Sequence, residues 1–134
     1  MARAAQGARW GDRRGHRLLS ELSGAPGELV EARVGYVYMA NSMLWQSSDP
    51  APSRPVVVLA VPAATRREIG VVARTSDISR DGVLHTPDPV LGLDRRGVWA
   101  DMRYIDKDRW RDGHVRQLGP LDAAVFAEIQ GRFG

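Results

Sequence analysis

The chain of 134 residues has no cysteine. Disulfides, thiolate zinc sites and a cysteine nucleophile are therefore excluded, and a reducing compartment, the cytoplasm, is expected. Histidine is scarce: His16, His85 and His114 are the only three, so no histidine-rich metal site is expected, and no cofactor is implied. No apolar run approaches the length of a membrane span. The opening residues, MARAAQGARWGDRRGHRLL, lack the apolar core of a secretory signal. Lysine is nearly missing too, with Lys107 alone among 19 basic residues. So strong a skew toward arginine makes arginine clusters weak indicators of function by themselves.

The formal charge of +3 is unevenly placed. Arg3, Arg9, Arg13, Arg14 and Arg17 stand against Asp12 in the first 20 residues, which leaves the rest of the chain slightly acidic. A polyanion must then be met by a local patch on the folded body, not by a global field.

A hydrophobic content of 43% suffices for one domain with a real core. Residues 1–30 read as a basic arm with one possible short helix at HRLLSELSG, and residues 31–134 as the folded domain. Strand character runs from Val34 to Met39, interrupted by Gly35. The loop SMLWQSSDPAPS precedes the strand PVVVLA, and VVARTS, VLHT and GVWADMRYI read as three more strands. The segment DKDRWRDGHVRQLG reads as a polar connection with a helical turn. In the closing PLDAAVFAEIQGRFG, Asp122 is an expected N-cap, and Val125, Phe126, Ile129 and Phe133 fall on one helical face. Five short strands and a terminal helix predict a mainly β protein with α, a small and partly open β-barrel or strongly bent sheet.

The stretch SRPVVVLA poses the sharpest local question. Its valines explain themselves as a buried strand, but Arg54 sits where that strand meets solvent. An arginine there either snorkels over the apolar strand or is aimed at an anion. Thr75 and Ser76 likewise read either as strand-end turn residues or as hydroxyl donors. Trp45 and Trp99 are candidates for base stacking or for burial.

Taken in order, VGYVYMA, RPVVVLA, VVARTS, GVWADMRYIDKDRW and RQLGPLDAAVFAEIQGRF resemble the MazF/PemK family of toxin endoribonucleases over roughly residues 34–133. The resemblance implies a small SH3-like barrel of the MazF kind with a C-terminal helix. Its catalytic pair carries over to Arg54, of the Arg-Pro pair, and Thr75, at the end of the next strand. Ser76, Asp49, Asp101 and Arg103 match the neighbourhood that contacts substrate. The family often has an acidic residue and Gln in the loop before Arg-Pro, where this chain has SSDPAPS with Asp49, and another such pair in the later strand, where Ala100 and Asp101 stand. These departures put sequence specificity in question and leave an inactive relative open.

The implied reaction is metal-independent cleavage of single-stranded RNA, in which a ribose 2′-hydroxyl attacks the adjacent phosphorus and the 5′-oxygen leaves. It needs charge stabilisation of the phosphorane, a proton acceptor and a proton donor. Arg54 suits the first need, being planar and permanently charged, and Thr75 the hydrogen-bonding of a phosphate oxygen. Asp49, Asp77, His85 and Asp101 are the candidate acceptors. The resemblance further implies a homodimer, with Val37 and Met39 near its seam, and a cognate antitoxin whose acidic, disordered tail competes for Arg54 and Arg103. Two other readings remain open: a non-catalytic barrel that binds a protein target, as the related CcdB fold does, and a plain RNA-binding barrel tethered by the basic arm.

Overall fold

In the computed structural model, which describes residues 27–41, 44, 53–61 and 67–134, six antiparallel strands form one curled sheet, a half-barrel with a C-terminal helix. The strands are β1 (Tyr36–Asn41), β2 (Ser53–Ala60), β3 (Glu68–Thr75), β4 (Val83–His85), β5 (Gly97–Asp106) and β6 (Val115–Pro120). They lie in the order β4-β5-β3-β2-β1-β6. Helix α1 (Ala123–Phe133) follows. Among the described residues, no helix is long and apolar enough to cross a membrane.

The valine run is continuous because the sheet is covered on both faces. Val56 and Val58 join one core with Tyr38, Val71, Ala73 and Ile105. Val57 and Leu59 join another with Val37, Val72, Trp99 and Ile129. Alternate residues of β2 and β3 thus serve opposite cores, and each fully buried valine contributes about 2 kcal/mol relative to exposure. The first core is closed by Trp110, whose ring meets Tyr38 edge-on at 5.0 Å between centroids. The second is closed by α1, which packs Val125, Phe126, Ile129 and Phe133 inward. Asp122 caps that helix as expected, its Oδ2 accepting from the N–H groups of Ala124 and Val125.

Four sequence readings change. The sheet has six strands, not five: β6 begins inside the segment read as a polar connection and ends one residue beyond it. Its Arg116 and Gln117 are exposed, and its register against β1 slips between Val37 and Tyr38, so no regular hydrophobic alternation marks it. Arg54 is within β2, paired with Ala40, rather than in front of the strand. Gly35 does not interrupt β1 but precedes it, turning the chain at φ +85°. Of residues 27–30, which the sequence assigns to the arm, Leu29 bridges to Arg111 and the Val30 N–H donates to the Trp110 carbonyl at 2.8 Å. The expected helix at HRLLSELSG, along with Asp49 and Trp45, lies outside the described residues.

Candidate functional site

The strand ends of β2 and β3 open into a cleft of about 340 Å³. Arg54 enters it from β2, Arg74, Thr75 and Ser76 from the end of β3, and Asp94 and Arg95 from the loop that faces them. Because β2 and β3 are antiparallel neighbours, with Val56 opposite Ala73, the start of one and the end of the other meet at the same edge. That topology brings together Arg54, Thr75 and Ser76, three of the residues singled out from the sequence. Pro55 lines the same cleft and fixes φ directly behind Arg54.

Thr75 is oriented by its own turn. Its Oγ1 accepts from the Asp77 N–H at 3.1 Å, which leaves the hydroxyl proton to be donated. Asp77 in turn accepts from Ser79, at 2.6 Å from the hydroxyl and 3.1 Å from the N–H. These two bonds, the hydroxyl's first, hold its carboxyl below the usual range.

Arg54 Nη1 lies 3.5 Å from Asp101 Oδ2, with the two side chains 24% and 19% exposed. Asp101 Oδ1 is held by Arg80, from the loop after β3. A bulge puts Asp101 there: β5 pairs Ala73 with Asp101 but Arg74 with Trp99, so Ala100 is the extra residue. The slip keeps Asp101 on the Arg54 face while Trp99 turns into the opposite core, wholly buried, and so presents no face for base stacking. Arg103, two residues on from Asp101 and opposite Val71, is exposed and lies outside the cleft lining.

Beneath the cleft sits a group that the sequence reading did not single out. Arg74 is 6% exposed. Its Nε donates to His85 Nδ1 at 3.2 Å, and its Nη2 faces the carbonyls of His85, Thr86 and Arg95 at 3.3, 3.4 and 2.8 Å. Burial pulls its pKa down from the usual value, with the charge of Asp88 acting against that. Since Nδ1 accepts, the His85 proton is on Nε2, which points toward Asp88 Oδ2 at 3.6 Å. Burial, then the charge of Arg74, lowers the His85 pKa from 6.5, and Asp88 opposes both. His85 is thus a buried, neutral supporting residue. The legible signal was an arginine inside the apolar run VVARTS, one position before Thr75. Arg80 had no such signal, because only loop geometry carries it to Asp101.

Val37 is wholly buried in the core that α1 covers. Met39 opens into the cleft. Among the described residues, no three His, Asp or Glu side chains gather into a metal-binding group. No protein-family model matches the chain, and no curated protein matches it.

Proposed function

We propose that the chain is a metal-independent endoribonuclease of the MazF/PemK kind, the toxin of a toxin–antitoxin pair acting on single-stranded RNA in the cytoplasm. The observation that carries this reading is the convergence of Arg54 and Thr75 on one cleft at the shared edge of β2 and β3. A fixed guanidinium and a hydroxyl with its proton free to donate are what a pentavalent phosphorus needs around its oxygens. In this reading Arg54 stabilises the charge that develops as the 2′-oxygen attacks. Thr75 donates to a second phosphate oxygen, and Ser76, exposed at the rim, contacts the neighbouring nucleotide. Arg74 acts from below: by tying the Arg95 carbonyl to β3 it fixes the far wall of the cleft. A homodimer and an antitoxin with an acidic tail directed at Arg54 and Arg103 belong to the same proposal.

The test is cleavage of a single-stranded RNA by the full chain in excess chelator. Cutting is expected to continue without divalent ions and to stop when the scissile nucleotide is 2′-deoxy, with binding retained. Cleavage that requires Mg²⁺, or that proceeds at the deoxy position, overturns the reading. Absence of cleavage under all these conditions favours the non-catalytic barrel.

A further inference from the structure

The two oxygens of Asp101 are divided between two arginines from different elements: Oδ2 faces Arg54 Nη1 on β2 at 3.5 Å, and Oδ1 is held by Arg80 from the loop between β3 and β4. A carboxylate gripped in this way offers the same negative charge and the same pair of acceptors as the two non-bridging oxygens of a phosphodiester, and guanidinium groups recognise both. The grip on the Arg54 side is loose. Charge-assisted hydrogen bonds of this type run to about 2.7–2.9 Å, and partly exposed pairs are weak and exchangeable. The Asp101 backbone is fixed by its pairing with Ala73 beside the Ala100 bulge, whereas Arg80 is exposed on a loop.

We infer that Arg54 and Arg80 form a two-arginine seat for a phosphodiester, and that Asp101 occupies it as a resident competitor which the nucleic acid must displace. Arg54 lines the cleft, whereas Asp101 and Arg80 lie beside it, outside its lining; the inference rests on reading that cleft as a phosphate site. It gives Arg80 a substrate-binding role and makes Asp101 a restraint on affinity instead of a contact that favours it.

The test uses a single-stranded DNA of degenerate sequence, which carries the phosphates but no 2′-hydroxyl, titrated by fluorescence anisotropy against the full chain at fixed salt. Asp101→Asn keeps the side-chain shape and is expected to tighten binding about five- to tenfold, the order expected from deleting one like charge at contact distance in a solvated site. The gain is expected to vanish in the Asp101→Asn, Arg80→Ala double variant. Arg80→Ala alone alters an exposed loop side chain, so it is expected to fold, and it is expected to weaken binding. Unchanged or weaker binding by Asp101→Asn, or a gain that persists in full without Arg80, overturns the seat. Cleavage of the matching RNA is followed in parallel to separate the two proposals. RNA left uncut while Asp101→Asn still tightens DNA binding refutes the nuclease and keeps the seat. RNA cut with no gain in binding refutes the seat alone, and RNA left uncut together with no binding of the DNA by any of the proteins refutes both.

Discussion

A methyl group on residue 97 would stand 2.7 Å from Cζ of Arg74: Gly97 leaves open the space that the buried guanidinium fills. The head of Arg74 cannot retreat, because His85, Thr86 and Arg95 hold it from the other side. Gly97→Ala is therefore expected to destabilise the fold by about 1–3 kcal/mol, the usual range for overpacking. In an Arg74→Met background, where the rigid head is gone, the same substitution is expected to cost less. Urea denaturation of the four proteins measures the difference, and equal costs in both backgrounds would refute the fit.

Arg54→Ala is expected to remove about 2–4 kcal/mol of transition-state stabilisation, by analogy with deleting one preorganised donor. Thr75→Ala is expected to slow cleavage as well and, through loss of the bond from the Asp77 N–H, to lower stability by about 1 kcal/mol. Thr75→Ser retains the hydroxyl and should recover most of the rate. Single-turnover cleavage beside thermal melts separates the two effects. A Thr75→Ala protein that cuts at the normal rate would remove Thr75 from the mechanism.

His85 gives the fold a dependence on pH with a definite sign. Its native pKa lies below 6.5, whereas in the unfolded chain the ring titrates at its ordinary value. Below that value the unfolded state binds a proton that the native state refuses, so stability declines as pH falls from 6.5 until the native ring also protonates. Above 6.5 this contribution is constant. Asp77, held below 3.8, acts in a separate window: its stabilisation is lost as pH falls below that value. The urea midpoint is expected to drop between 6.5 and about pH 5, and to drop less in His85→Asn, whose Oδ1 can still accept from Arg74. An unchanged slope in that variant would show that other groups titrate there.

Asp122→Ala is expected to cost about 1 kcal/mol, since it strips two N–H groups of α1 of their acceptor. Asp122→Ser should be nearly neutral. Calorimetry distinguishes the pair, and an equal loss in both would mean that Asp122 acts through its charge and not as a cap.

The central strands and the closing helix were legible because their patterns are local. VVV in β2 and VVA in β3 announce burial on both faces, and Val125, Phe126, Ile129 and Phe133 repeat at helical spacing. β6 was not legible, because edge pairing and a bulge leave it with polar side chains and no alternation. At the site, Arg54 and Thr75 stood out by type and by place at strand ends. Asp101 was visible, but its partner was not: whether residue 100 or 101 faces Arg54 is decided by a one-residue slip in β5 that no side chain advertises. Arg74 reads from the sequence only as part of a strand. Only the pairing of β3 with β5 shows that it lies against Gly97 and under the cleft.

The double-sided core of β2 and β3 sets a division of timescales within the site. The amides of Val56–Leu59 and Val71–Ala73 are shielded from both directions, so their hydrogen exchange should require opening of the whole sheet. Arg54 and Thr75 are rooted at the ends of that slowest-exchanging band. Arg80 is carried by an exposed segment whose internal contacts are those of a short turn, and its amides should exchange through local openings. The backbone that carries one half of the proposed anion grip is thus as persistent as the fold itself, while the backbone that carries the other half opens and closes many times during the life of a single native molecule.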